Sequence, residues 1–421
     1  MGIAPLLVAL VATAAPEPAT ALLARHECRR CHEGTSEPAP PLAKACVGCH
    51  RRITGGTFEA RRDLIVRWNR NLVSLRQAPS LAGVGARLRR DWVRAFLLAP
   101  SDARPALAAT MPRLALTPNE ADALARALVP NDDRGGRGRV GAPTLSPPKP
   151  SRDVARRAEL ADSTRDRGDV SPAGDVARGA RLYARLRCGT CHAFTGADVD
   201  AVARPGIVAR GAGERAPPDA IALAPDLALA RARLRPGRVA AFIREPQLAN
   251  ADTLMPATPM SAAEAEDLAT FVLRAPLRPA PPPPSAPLPV LPLLARPVRF
   301  AEVQSRVFDR VCRHCHAAPD FALGDGGPGN TGGFGFPPRG LDLSSYEGIA
   351  SGAFDDKGRR RSVFAANADG TPAMVARLRA RRDEEIGRAD PALRGMPLGL
   401  PALSPEDLQL VESWIAQGRP R

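Results

Sequence analysis

All eight cysteines of the 421-residue chain fall in a single five-residue pattern. Its four copies are Cys28-Arg29-Arg30-Cys31-His32, Cys46-Val47-Gly48-Cys49-His50, Cys188-Gly189-Thr190-Cys191-His192 and Cys312-Arg313-His314-Cys315-His316. Two thiols three positions apart on one helical turn can each add to a haem vinyl group, forming two thioethers. The residue that follows then sets an imidazole beneath the iron. The pattern predicts four covalently bound haem c groups, attached at Cys28, Cys31, Cys46, Cys49, Cys188, Cys191, Cys312 and Cys315. The proximal iron ligands are then His32, His50, His192 and His316. A structural disulfide gives no reason for a histidine to follow every pair. Zinc at the first two motifs is the closer rival, because C-x2-C-x14-C-x2-C lies near zinc-ribbon spacing, but it leaves the isolated pairs at Cys188 and Cys312 unexplained.

An iron held by one histidine needs a second axial donor, and soft donors are few. Three of the six methionines precede a proline: Met111-Pro112, Met255-Pro256 and Met396-Pro397. Each stands ahead of a helix-start signal, at Thr117-Pro118-Asn119-Glu120, Ser261-Ala262-Ala263-Glu264 and Ser404-Pro405-Glu406-Asp407. Met111, Met255 and Met396 are the expected distal ligands, and methionine ligation raises the reduction potential. One haem is left over. His26, two residues before Cys28, is too near to swing to the far side of its own haem and is expected at the haem of Cys46. In that arrangement Met111 serves the haem of Cys28, or one iron keeps a face without a protein ligand; the sequence leaves both open. His314 sits in a short loop expected to face solvent. Met374 reads as a packing residue, and Met260 as packing or as a substitute for Met255.

The elements around these residues repeat. Gly179-Ala180-Arg181-Leu182-Tyr183 leads into the motif at Cys188, Ala224-Pro225-Asp226-Leu227 follows, and Met255-Pro256 precedes a helix from Ala262 to Leu273. Residues 176 to 275 thereby resemble the small single-haem cytochrome c fold, which runs from an N-terminal helix through C-x-x-C-H and a loop to a methionine ligand and a C-terminal helix. Ala78-Pro79-Ser80-Leu81, a helix over Trp92 to Leu98 and Met111 give the same order near the N-terminus. A helical run Val303 to Val311 and Trp414-Ile415 bracket the last copy. The resemblance implies a mainly α protein of three tandem cytochrome c-like helical domains, at 22–130 (with two haem motifs), 175–275 and 298–421. Pro/Gly-rich linkers at 131–174 and 276–297 join them, and Gly324 to Gly340 reads as a surface loop.

Met1 to Ala15 form a short apolar stretch, with Ala12-Thr13-Ala14 ahead of Pro16, and read as an export signal over residues 1–15. No other segment reaches about 18 uninterrupted apolar residues, so a periplasmic or otherwise exported protein without a transmembrane anchor is expected. The net charge of +15 is almost all arginine, since Lys44, Lys149 and Lys357 are the only lysines. Spread through helices and linkers with abundant Ala and Pro, it reads first as compositional bias; no basic cluster alternates with exposed aromatics as in a nucleic-acid binder, and the partners expected are a redox donor and acceptor, acidic or membrane-bound. Only 12 Phe, 3 Trp and 2 Tyr are available to build cores, which a flat cofactor would help fill. No nucleophile motif or dinucleotide fingerprint appears. The expected function is electron transfer rather than catalysis. The alternatives are a peroxidase- or reductase-like enzyme with one open haem, and a cytochrome subunit of a membrane-associated dehydrogenase. The second rests on the motif spacing, which resembles that of three-haem dehydrogenase subunits.

Overall fold

Four of the principal helices start where Ser, Thr or Asp accepts from an N–H group of the first turn. Thr117 caps α5 and Ser261 caps α8, each in a reciprocal capping box with the glutamate three residues on, Glu120 and Glu264. Ser404 accepts from the Asp407 N–H at the start of α11. The computed structural model describes residues 17–35, 37–40, 45–71, 78–100, 103–105, 111–114, 116–130, 172–198, 221, 223–250, 253–279, 289–313, 315–317, 340–355, 357–386, 388, 390, 392–398 and 400–421. The expected export signal, most of the first linker, residues 280–288 of the second, His314 and all of the Gly-rich segment except Gly340 lie outside them.

The architecture is mainly α. In chain order the principal helices are α1 (Ala19–Arg25), α2 (Cys46–Thr54), α3 (Arg62–Asn71), α4 (Arg90–Leu98), α5 (Pro118–Leu128), α6 (Val176–Arg185), α7 (Pro236–Arg244), α8 (Ala262–Arg274), α9 (Phe300–Val303), α10 (Ala373–Glu385) and α11 (Pro405–Ala416). Among the described residues the one sheet is a two-stranded antiparallel ribbon, Ala353–Phe354 with Arg360–Arg361. No helix among these residues is long and apolar enough to cross a membrane.

Three apolar cores follow one plan, in which a helix leading into a C-x-x-C-H motif packs on a later capped helix. In the first, Leu22 and Leu23 of α1 meet Ala121, Leu124 and Ala125 of α5 and Val93 and Leu97 of α4. In the second, Leu182 and Tyr183 of α6 meet Ala265, Leu268 and Phe271 of α8. The third gathers Val303, Val307, Phe308, Leu408, Val411 and Trp414. An ion pair ties the entering helix to the N-terminus of the capped one each time: Arg25 with Glu120, Arg185 with Glu264 at 2.6 Å, and Arg306 with Asp407 at 3.1 Å.

Close backbone approach tightens the second core. A Cβ at Gly179 would stand 2.1 Å from the Asp267 carbonyl oxygen, so α6 and α8 cross with main chain against main chain. Asp267, buried at this crossing, accepts from Arg178 Nε at 2.7 Å and from the Asp175 N–H at 2.6 Å.

The aromatics are few but concentrated. Tyr183, Phe194 and Phe271 form one cluster. Trp414 is surrounded by Phe300, Phe308, Tyr346 and Phe364. The run expected as an ordinary helix over 303–311 is an α-turn that widens into a π-helix, Gln304–Cys312, ending on the first cysteine of its motif. The third unit also buries charge on α10. Arg381 is 2% exposed, pairs with Glu384 at 2.9 Å and donates to the Leu400 carbonyl.

The segment between His32 and Pro79 is an insertion in the first unit. It contains α2 and α3 around a small core of its own, Cys49, Ile53, Phe58, Leu64 and Trp68. The second motif therefore sits on a side hairpin. The chain then returns to the first core through Pro79, α4, Met111 and α5.

Candidate functional site

Three motif histidines, His32, His192 and His316, make the same bond. His32 Nδ1 lies 2.8 Å from the Pro79 carbonyl, His192 Nδ1 2.9 Å from the Pro225 carbonyl and His316 Nδ1 3.3 Å from the Leu341 carbonyl. A carbonyl can only accept, so Nδ1 carries the proton and Nε2 keeps its lone pair for a metal. Burial pushes all three imidazoles below their ordinary pKa, the carbonyl bond only partly offsetting it, which favours the neutral, ligating form. His50, on α2, is buried as well.

The cysteines are presented by tight local turns. Cys28–Arg30 and Cys188–Thr190 are 3-10 turns, each entered through a residue in the left-handed region, Glu27 and Arg187. In these two motifs and the last, the histidine N–H returns to the first cysteine's carbonyl at 2.9 to 3.0 Å, closing the loop so that both sulfurs and the imidazole stay together. Burial raises the first thiol of each of these motifs, to about 11 at Cys28 and Cys188 and about 12 at Cys312. Cys28, Cys188, Cys191 and Cys312 form no disulfide among the described residues. The Cys46 side chain lies outside the described residues. Among those that are described, no three His, Cys, Asp or Glu side chains converge on a metal position, so Cys28, Cys31 and Cys49 do not gather around one ion.

Met111 and Cys28 both pack against the first core, whereas the core around Cys49 holds Ile53, Phe58, Leu64 and Trp68. This associates Met111 with the motif at Cys28. In the middle unit Met255 is fixed at both ends of its peptide: its N–H donates to Thr253 Oγ1 at 3.2 Å, and its carbonyl accepts from Gln247 Nε2 at 2.7 Å. Met260 instead packs on the second core, one residue before Ser261, where Leu116 stands one residue before Thr117 and Leu403 before Ser404. Met396 lies against the third core, and Met374 is buried in it.

His26 closes α1, and its Nε2 is buried without a hydrogen-bond partner among the described residues. Burial, then the charge of Arg25, lowers its pKa. The helix carrying the second motif packs on the turn carrying the first, joined by Arg51 with Glu33 at 3.0 Å and by Arg51 Nη2 to the Ala78 carbonyl at 3.1 Å. The two N-terminal motifs are therefore neighbours.

The proximal carbonyls of Pro79, Pro225 and Leu341 were not singled out as site residues by sequence. The repeated Ala-Pro ahead of Ser80-Leu81 and Asp226-Leu227 is the signal that marks two of them. The donor set fits a haem: paired thiols, an imidazole with a free Nε2, and a thioether from a pinned loop. Buried arginine Nε donors without acceptors among the described residues, at Arg29, Arg89, Arg113 and Arg231, also suit a group that brings carboxylates.

The chain matches no curated protein and no solved structure. The Cytochrome c family model matches residues 176–276, which span the motif at Cys188, the Pro225 carbonyl, Met255 and α8. Residues 176–276 are thus a c-type cytochrome domain, the kind that holds haem covalently and serves electron transfer.

Proposed function

We propose that the chain is an exported four-haem electron carrier built from three cytochrome c-like units. The observation that supports this most is the threefold recurrence of a motif histidine giving its Nδ1–H to a main-chain carbonyl, in parts of the chain beyond the family match as well as within it. Cys28/Cys31, Cys46/Cys49, Cys188/Cys191 and Cys312/Cys315 hold the four haems, with His32, His50, His192 and His316 below the irons. Met111, Met255 and Met396 take the distal positions at the haems of Cys28, Cys188 and Cys312. His26 takes the distal position at the haem of Cys46, on the neighbouring motif.

Bound haem supplies one-electron exchange between ferric and ferrous iron. The protein's part is to fix the axial donors, keep the imidazoles neutral and occupy both faces so that small oxidants are excluded. The arginine-rich surface favours an acidic redox partner, and raised salt slows that encounter.

An equilibrium reductive titration of the loaded protein tests this reading. It predicts three relatively high-potential His/Met centres and one lower-potential His/His centre. Four equally low potentials contradict the methionine assignments. Carbon monoxide or cyanide binding to the untreated protein contradicts His26 as a ligand and favours an open, reactive haem at Cys46.

A further inference from the structure

Residues 81–100 and 227–246 repeat one pattern 146 positions apart: Leu81 and Leu227, Leu88 and Leu234, Arg89 and Arg235, Phe96 and Phe242, Pro100 and Pro246. The two copies also touch. Leu88 forms an antiparallel bridge with its own counterpart, Leu234. The Arg89 N–H donates to the Arg233 carbonyl at 3.0 Å, and the Arg235 N–H donates to the Arg87 carbonyl at 2.9 Å. Arg89 Nη1 donates to the Arg231 carbonyl at 2.9 Å, and Arg235 Nη1 to the Gly85 carbonyl at 3.1 Å. Shifting every residue of one bond by 146 positions gives the other bond of its pair. The contact is isologous, as in a two-fold dimer, but lies within one chain.

This seam reaches both haem sites. Arg87 Nη2 extends to the Ser80 carbonyl, next to Pro79, and the charge of its counterpart Arg233 acts on His192. The Asp226 N–H, next to Pro225, crosses to the Ala103 carbonyl at 2.7 Å. Arginine dominates the seam. Asp226, the carboxylate beside it, accepts from Thr195 and from the Ala228 N–H. The Nε atoms of Arg89 and Arg231 are buried with no acceptor among the described residues. Both guanidiniums are half-buried and donate elsewhere through Nη, Arg89 to the Arg231 carbonyl and Arg231 to the Ala275 carbonyl at 2.7 Å, but a buried Nε–H left without an acceptor is costly unless an anion completes the site.

We propose that the first and middle units form a single pseudo-two-fold body, and that haem carboxylates from both sides fill the arginine seam between them. The proposal rests on the haem reading above. It makes the haems of Cys28 and Cys188 a pair fixed by the protein, with the haem of Cys46 carried on the side hairpin.

The test is hydrogen exchange on the full haem-loaded chain, comparing wild type with Arg235→Ala and with its counterpart Arg89→Ala. Haem content and low-spin absorption report on folding. Arg235→Ala is expected to raise exchange about tenfold across residues 84–92 of the opposite unit, and Arg89→Ala to do the same across 230–239. Both variants are also expected to shift the potentials of the haems at Cys28 and Cys188 together. Exchange changes confined to the mutated unit overturn the proposal. If a variant loses its haem spectrum, wild type decides: slow exchange at the Arg89 and Arg235 amides supports the joint body, and exchange as fast as in an open loop overturns it. A chain that shows cross-unit protection but no covalent haem at Cys28 and Cys188 keeps the joint body, and loses both the carboxylate seam and the electron-transfer reading.

Discussion

A motif histidine whose Nδ1–H is given to a carbonyl has one lone pair left, and that fact organises the residue scale. The paired cysteines and the imidazoles that follow them are legible from spacing alone. The acceptor is not, because Pro79 is 47 positions from His32 and Pro225 is 33 from His192, and only folding brings them together. The choice between Met255 and Met260 was open in the sequence for a similar reason. The structure separates them by environment, a loop pinned through Thr253 and Gln247 against an apolar packing position. Met255→Leu is therefore expected to abolish the thioether-to-iron absorption of the middle haem and lower its potential. Met260→Leu is expected to leave both intact, since a volume-conserving apolar swap costs less than about 1.5 kcal/mol. Potentiometry with visible spectroscopy on the two variants checks this, and the reverse pattern makes Met260 the ligand.

At the scale of elements, the Ser/Thr-x-x-acid signals marked the starts of α5, α8 and α11 correctly, because a cap is a local interaction that the chain spells out within four residues. The π-helix ahead of Cys312 was not legible, since its residues keep an apolar periodicity that an ordinary helix also satisfies. The crossing of α6 on α8 was hinted at only by Gly179. Gly179→Ala pushes a methyl into the Asp267 carbonyl and should destabilise the middle unit by about 1–3 kcal/mol, measured by chemical unfolding of the loaded protein. The first unit carries a pH signature in its capping box. The Thr117 N–H, followed by the Arg25 guanidinium, holds the Glu120 carboxyl down to about 2 from an ordinary 4.5. A depressed carboxylate stabilises the fold fully above its unfolded value, and that stability is lost as pH falls from about 4.5 toward 2. Glu120→Gln should flatten this part of the stability–pH curve, and an unchanged acid limb would show that the bond carries no linkage.

At the scale of the molecule, among the described residues, three cores follow one plan, and a fourth, smaller core carries a motif on an insertion. The repetition was visible as recurring Met-Pro and capping signals. The insertion was not. Two motifs 18 positions apart read as one two-haem domain, and nothing local says that the chain returns from the second to complete the first. The seam at Leu88 and Leu234 was also hidden, because likeness between segments does not reveal that they touch. Under the proposed function, every C-x-x-C-H motif holds a haem within this repeated frame. Its most direct test is the intact mass of the full chain matured in an oxidising periplasm, together with thiol alkylation. The expected result is a mature chain, cut near Ala15, carrying four covalent haems, with all eight cysteines closed to the alkylating reagent. Fewer haems, with reactive thiols or bound zinc at Cys28, Cys31, Cys46 and Cys49, would contradict it.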